Sequence, residues 1–116
     1  MARGDVLRVK LPLPPGGAGR EQAGRRPAIA VQTDVTSANL PTLMIVPLTG
    51  QLSALRFPHT IRVEPSNTNG LNQPSVLLVF QLRAIDQRRI IEVIGRLEEE
   101  YLDQLDAEMR RLLSLE

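Results

Sequence analysis

At 116 residues, with 42% of its side chains hydrophobic, the chain suffices for one apolar core without staples or metals, and residues 1–116 read as a single domain. The absence of cysteine and the presence of one histidine, His59, exclude disulfides, thiolate or multi-histidine metal sites, and acid/base catalysis by two histidines of one chain. The net charge of +1 hides a division: residues 1–91 hold 11 basic and 5 acidic side chains, a balance of +6, whereas residues 92–116 hold 3 basic and 8 acidic, a balance of −5.

The opening MARGDVLRVK spreads charge over Arg3, Asp5, Arg8 and Lys10, and no later stretch approaches the ~20 apolar residues that span a bilayer. A cytoplasmic protein, neither secreted nor membrane-embedded, is therefore expected. Short apolar segments then recur between turn signals: Val6 to Leu11, Ala28 to Val31, Leu43 to Leu48, Thr60 to Val63, Val76 to Phe80 and Ile90 to Ile94. They predict a compact β domain. Between the first two, the prolines and glycines of LPLPPGGAGREQAG oppose helix and ladder alike and predict a long loop; EPSNTNGLNQP, with its Asn69-Gly70 turn signal, predicts a second.

From Glu98 the period changes. Tyr101, Leu102, Leu105, Met109, Leu112 and Leu113 recur at helical spacing, with acids toward the positive end of the helix and Arg110 and Arg111 toward the negative end. Its apolar stripe suits either a lid over the strands or packing on a second subunit. The fold class is mainly β with a C-terminal helix.

The basic body suits a polyanion. Every cation but Lys10 is arginine, which grips phosphate bidentately, although a coding bias toward arginine leaves the same composition. The body's carboxylates, Asp5, Glu21, Asp34, Glu64 and Asp86, are scattered, which argues against two-metal hydrolysis, so neither metal nor other cofactor is expected. Gly16 to Gly19 lack the Walker lysine and the Rossmann spacing. Stacking platforms for bases are sparse, since Phe57, Phe80 and Tyr101 are the only aromatics. His59, after Pro58 in an expected loop, reads as a surface residue or a ligand contact.

What remains is a loop whose far side carries Glu21, Gln22, Arg25 and Arg26, and a strand end carrying Thr49, Gly50 and Gln51. Acid, cation and hydroxyl suffice for one reaction. In RNA the 2′-hydroxyl is already the nucleophile, so a protein need only place the phosphate, move protons and stabilise the growing charge. Arginine stays protonated, which suits Arg26 to the last task and leaves Glu21 as the candidate base. On their own, the same residues also read as a solvated turn before a strand.

The chain resembles the MazF/PemK family at separated points in the family's order: RGDV at Arg3 to Val6, EQAGRRPAIAVQTD at Glu21 to Asp34, VPLTGQ at Val46 to Gln51, GLNQPSVLLVFQLRAIDQRRI at Gly70 to Ile90, and the final IGRLEEEYLDQLDAEM. The resemblance implies a small SH3-like barrel with a terminal helix, in the topology shared with the CcdB-like toxins. It further implies a homodimer that cuts single-stranded RNA without a metal, leaving a cyclic phosphate and a 5′-hydroxyl, and that is held in check by a cognate antitoxin. By that match Arg26, Thr49 and Glu21 are catalytic, and Gln22, Arg25, Gln51, His59 and Gln81 contact RNA. Phe80 stands where the family commonly has an acid, Arg20 replaces its serine before the loop glutamate, and the loop is lengthened. The cutting sequence therefore does not carry over. Two other functions share the resemblance: a gyrase-poisoning toxin of the same fold, and a non-cutting RNA-binding paralogue.

Overall fold

The computed structural model describes residues 2–11, 24–34 and 39–115. Among them run seven strands: β1 (Asp5–Leu11), β2 (Gly24–Ala30), β3 (Thr42–Thr49), β4 (Thr60–Val63), β5 (Ser75–Leu78), β6 (Arg83–Asp86) and β7 (Ile90–Arg96), followed by one helix, α1 (Glu99–Leu113). Their order is β4-β5-β3-β2-β1-β7, with β6 also on β3 and all pairs antiparallel. This is the expected mainly β architecture with a C-terminal helix.

β3 organises the sheet because it is long enough to serve several partners. One edge pairs with β2 through Ile45–Pro47; the other pairs with β6 through Thr42–Ile45 and with β5 through Leu48 and Thr49. A 3-10 turn at Val79–Gln81 bridges β5 to β6 where that edge changes partner. Val6, Ile29 and Val46 align across β1, β2 and β3 and are fully buried, in one cluster with Leu102 and Leu105 of α1. The opposite face is buried too, by Leu7, Val9, Ala28, Ile45 and Ile85. A strand buried on both faces cannot alternate cleanly, which is why β1 reads DVLRVKL.

α1 covers the first cluster rather than standing clear of the sheet. Leu105 is wholly buried, and removing a leucine side chain from water contributes about 2–3 kcal/mol. The stripe is narrower than its sequence suggested, since Leu113 is 51% exposed in the last turn. Glu98 is the residue before the first turn, yet its carboxylate does not cap the helix. Oε1 and Oε2 instead accept bonds from Asn69 Nδ2 at 3.0 Å and Ser66 Oγ at 3.1 Å.

Three sequence expectations need correction. β2 begins at Gly24, so Arg25 and Arg26 sit on a strand and not in a turn before one. Phe80 leaves the expected strand for the 3-10 turn, because β5 stops at Leu78. β6 was not anticipated: Ile85 is its one buried residue, and a single buried apolar side chain carries no period.

Candidate active site

Arg26 reaches its place through β1 and β2. Val9 pairs with Arg26 and Arg8 with Pro27, so the strand holds through a proline that lacks an N–H. That is tolerated because the β2–β3 ladder starts only at Ala28, opposite Pro47, and leaves Pro27 no donor to supply there. Arg26 lies two residues before the first β2–β3 pair on its strand, and Thr49 two residues after it on the other. The β2–β3 pairing itself ends at Ala28 and Pro47; what the two residues share is the cleft, which Arg26 lines and which Thr49 flanks between the lining residues Leu48 and Gly50.

Thr49 is only 5% exposed. Its Oγ1 accepts the Gln51 N–H at 3.2 Å, which fixes the hydroxyl oxygen and leaves its hydrogen to donate. Arg26 opens onto a cleft of about 120 Å³, shared with Arg8, Leu48, Gly50, Gln73 and Ile94. Thr49 adjoins it through Leu48 and Gly50. Arg8 is also 3.4 Å from Glu92, an exposed pair of small energetic weight.

Gly70–Gln73 and Ser75 also line the cleft, and the residue that holds this segment in place, just before it, is one the sequence reading missed. Asn69 is completely buried and fully used: Oδ1 accepts the N–H groups of Ser66 and Leu71, both at 3.0 Å, while Nδ2 donates to the Glu64 carbonyl at 2.9 Å and to Glu98. The turn signal located this residue without showing its polar network. Gly70 follows at φ +72°, where a side chain would also collide with the Ile94 carbonyl. Arg96 N–H donates to the Thr68 carbonyl at 2.8 Å, so the loop is seated directly on β7.

The remaining candidates fall into other places. Glu21 and Gln22 lie outside the described residues. Arg25 is exposed on β2, facing opposite to Arg26 and paired in register with Lys10. Gln51 is exposed beside Thr49, at the start of the 3-10 turn Leu52–Arg56. His59, at φ 58°, donates from Nδ1 to Glu108 Oε1 at 3.1 Å and does not line the Arg26 cleft. Gln81 follows Phe80, whose ring lies 5.5 Å from that of Phe57, with the Arg56 guanidinium 4.7 Å above Phe57. Among the described residues no cluster of three metal-ligating side chains occurs, and no helix is long and apolar enough to cross a membrane. The clearest electrostatic shift lies elsewhere: side-chain and backbone bonds from Arg88 hold the Asp86 carboxyl at about 2, below its usual 3.8.

The chain is 31% identical over 114 residues to endoribonuclease EndoA of Bacillus subtilis strain 168, covering 97% of this chain and 94% of that protein. Its fold is similar to that of MazF from Deinococcus radiodurans, with a TM-score of 0.80 and 22% identity over 99% of this chain and 97% of that one. It is also similar to an endoribonuclease solved in complex with its cognate antitoxin from a mycobacterial species, with a TM-score of 0.74 and 16% identity over 100% and 95% of the two chains. Residues 2–113 match the family described as PemK-like, MazF-like toxin of type II toxin-antitoxin system, and the chain belongs to that family.

Proposed function

We propose that the chain is a metal-independent endoribonuclease toxin that cuts single-stranded RNA at short sequences. The observation that carries this reading is a cleft lined by Arg8 and Arg26 and flanked by Thr49 through its lining neighbours Leu48 and Gly50, in a chain of this family. The RNA 2′-oxygen bonds to phosphorus as the P–O5′ bond breaks, leaving a 2′,3′-cyclic phosphate and a 5′-hydroxyl. Glu21 accepts the 2′ proton, Arg26 stays charged and neutralises the phosphorane, the Thr49 hydroxyl donates to a non-bridging oxygen, and the leaving 5′-oxygen takes up a proton from water. Gln22, Arg25, Gln51, His59 and Gln81 contribute contacts along the RNA. By the same reading the protein works in the cytoplasm as a homodimer and is neutralised by an antitoxin with an acidic segment, for which a body of +6 is a fitting surface.

The test is cleavage of a long defined RNA in low salt with chelator present, with both cut ends mapped. The parent is expected to make discrete cuts with cyclic-phosphate ends, and Arg26→Ala to lose about 100- to 1,000-fold in rate, the cost of removing one charge-stabilising donor. Undiminished cutting by both Arg26→Ala and Thr49→Ala would sink the assignment.

A further inference from the structure

We infer that the cleft beside Arg26 receives one RNA base next to the scissile phosphate, and that the Gln73 side-chain amide reads that base's edge. The inference rests on the ribonuclease reading above. A volume of about 120 Å³ falls well short of the roughly 300–1,000 Å³ that encloses a whole small-molecule ligand, and suits one planar ring. The lining has the matching chemistry: an apolar floor of Pro27, Leu48, Leu71 and Ile94, with Arg8, Asn72 and Gln73 supplying polar groups. An amide presents a donor beside an acceptor, the pairing that engages a base edge bidentately, and a guanidinium offers a plane for the ring to stack on.

The amide is placed by the fold. Gln73 lies across Gly50, and a side chain at position 50 would collide with it, so the glycine next to Thr49 makes room for the reader. Ser75 Oγ–H donates to the Gln73 carbonyl at 3.0 Å, which anchors the backbone while the side chain remains exposed. Upstream, the buried Asn69 and the contact of Gly70 with Ile94 hold the loop on β7. So constrained a backbone spares the loop the cost of ordering itself on binding.

The experiment is sequencing of cut sites in a randomised single-stranded RNA pool treated with parent, Gln73→Ala, Gln73→Glu and Arg26→Ala proteins. Gln73→Ala is expected to keep cutting while base preference at one position beside the cut falls about tenfold and other positions keep theirs. Gln73→Glu, which can only accept, is expected to move that position toward bases bearing exocyclic amino groups. It also keeps the test readable if the alanine variant fails to fold. Unchanged preference at every position in the folded Gln73 variants overturns the inference, as does loss of all cutting without a shift in preference. Selection by binding of a 2′-fluoro pool, which cannot cyclise, reads the same position without catalysis. A Gln73-dependent preference there, with no cutting of RNA by the parent, would fail the ribonuclease reading while leaving the base contact of Gln73 standing.

Discussion

Thr49 and Asn69 are both buried polar residues, yet their hydrogen bonds give them opposite tasks. Asn69 satisfies backbone groups on both sides of a turn and has nothing left to offer a ligand. Asn69→Ala strands the Ser66 and Leu71 N–H groups and the Glu98 carboxylate, and is expected to cost about 3 kcal/mol, since each buried unpaired group costs about 1–3. Denaturant unfolding checks this, and a loss under 1 kcal/mol would mean that water replaces the network. Thr49, by contrast, keeps its hydroxyl hydrogen in reserve. Thr49→Val preserves shape while removing both the reserve donor and the acceptor for Gln51, so cleavage should fall by about 100-fold with a stability change near 1 kcal/mol. Thr49→Ser should retain most of the activity. Equal rates for parent and valine variants would remove the hydroxyl from the mechanism. Neither role was legible from residue type: Thr49 stood out only as an unspecific hydroxyl at a strand end until the family resemblance singled it out, and Asn69 only as half of a turn dipeptide.

At the level of elements, what the sequence showed and what it hid have the same cause. β1, β3 and β4 stand out as apolar runs between turn signals and α1 displays its helical period, and all four appear close to where those signals put them. The first half of β2 does not: Gly24, Arg25 and Arg26 are exposed and Pro27 is a strand breaker, so its extension depends on β1 across the sheet. A tertiary pairing of that kind leaves no local signature, and it is the pairing that carries Arg26 to the cleft. The loop over the cleft hides its logic similarly, in glycines whose purpose is contact. Gly70→Ala must hold alanine at φ +72° against the Ile94 carbonyl, and Gly95→Ala meets the Asn69 carbonyl. Each should destabilise by about 1–3 kcal/mol and reduce cleavage more than Gly24→Ala, whose added methyl meets nothing, although its φ of +81° is strained as well. Thermal melts beside cleavage rates decide this; a Gly70→Ala protein as active as Gly24→Ala would detach the loop from the site.

Across the whole molecule, the acidic end is less a separate surface than a clamp on the basic body. Arg3 pairs with Asp106, Arg8 with Glu92, and His59 with Glu108, while Glu98 serves Asn69. Charge counting alone found the division but not the ties across it. Their consequence is that the acids screen some cations of the body selectively, and Arg8 is the one where screening meets the cleft. An exposed pair at 3.4 Å is worth well under about 1 kcal/mol, so an RNA phosphate or base can draw Arg8 away from Glu92. RNA affinity should then fall with salt, each lost arginine contact reducing the log–log slope by about 0.7 for a single strand. Anisotropy titrations of a 2′-fluoro RNA across a salt series should show that reduction in both Arg8→Ala and Arg26→Ala. Glu92→Gln should tighten binding at low salt by releasing Arg8, and Arg62→Ala, on β4 and paired with Glu64, should leave the slope as in the parent. If Arg62→Ala and Arg8→Ala lower the slope alike, RNA is held by diffuse charge over the body and not by the cleft that Arg8 and Arg26 share.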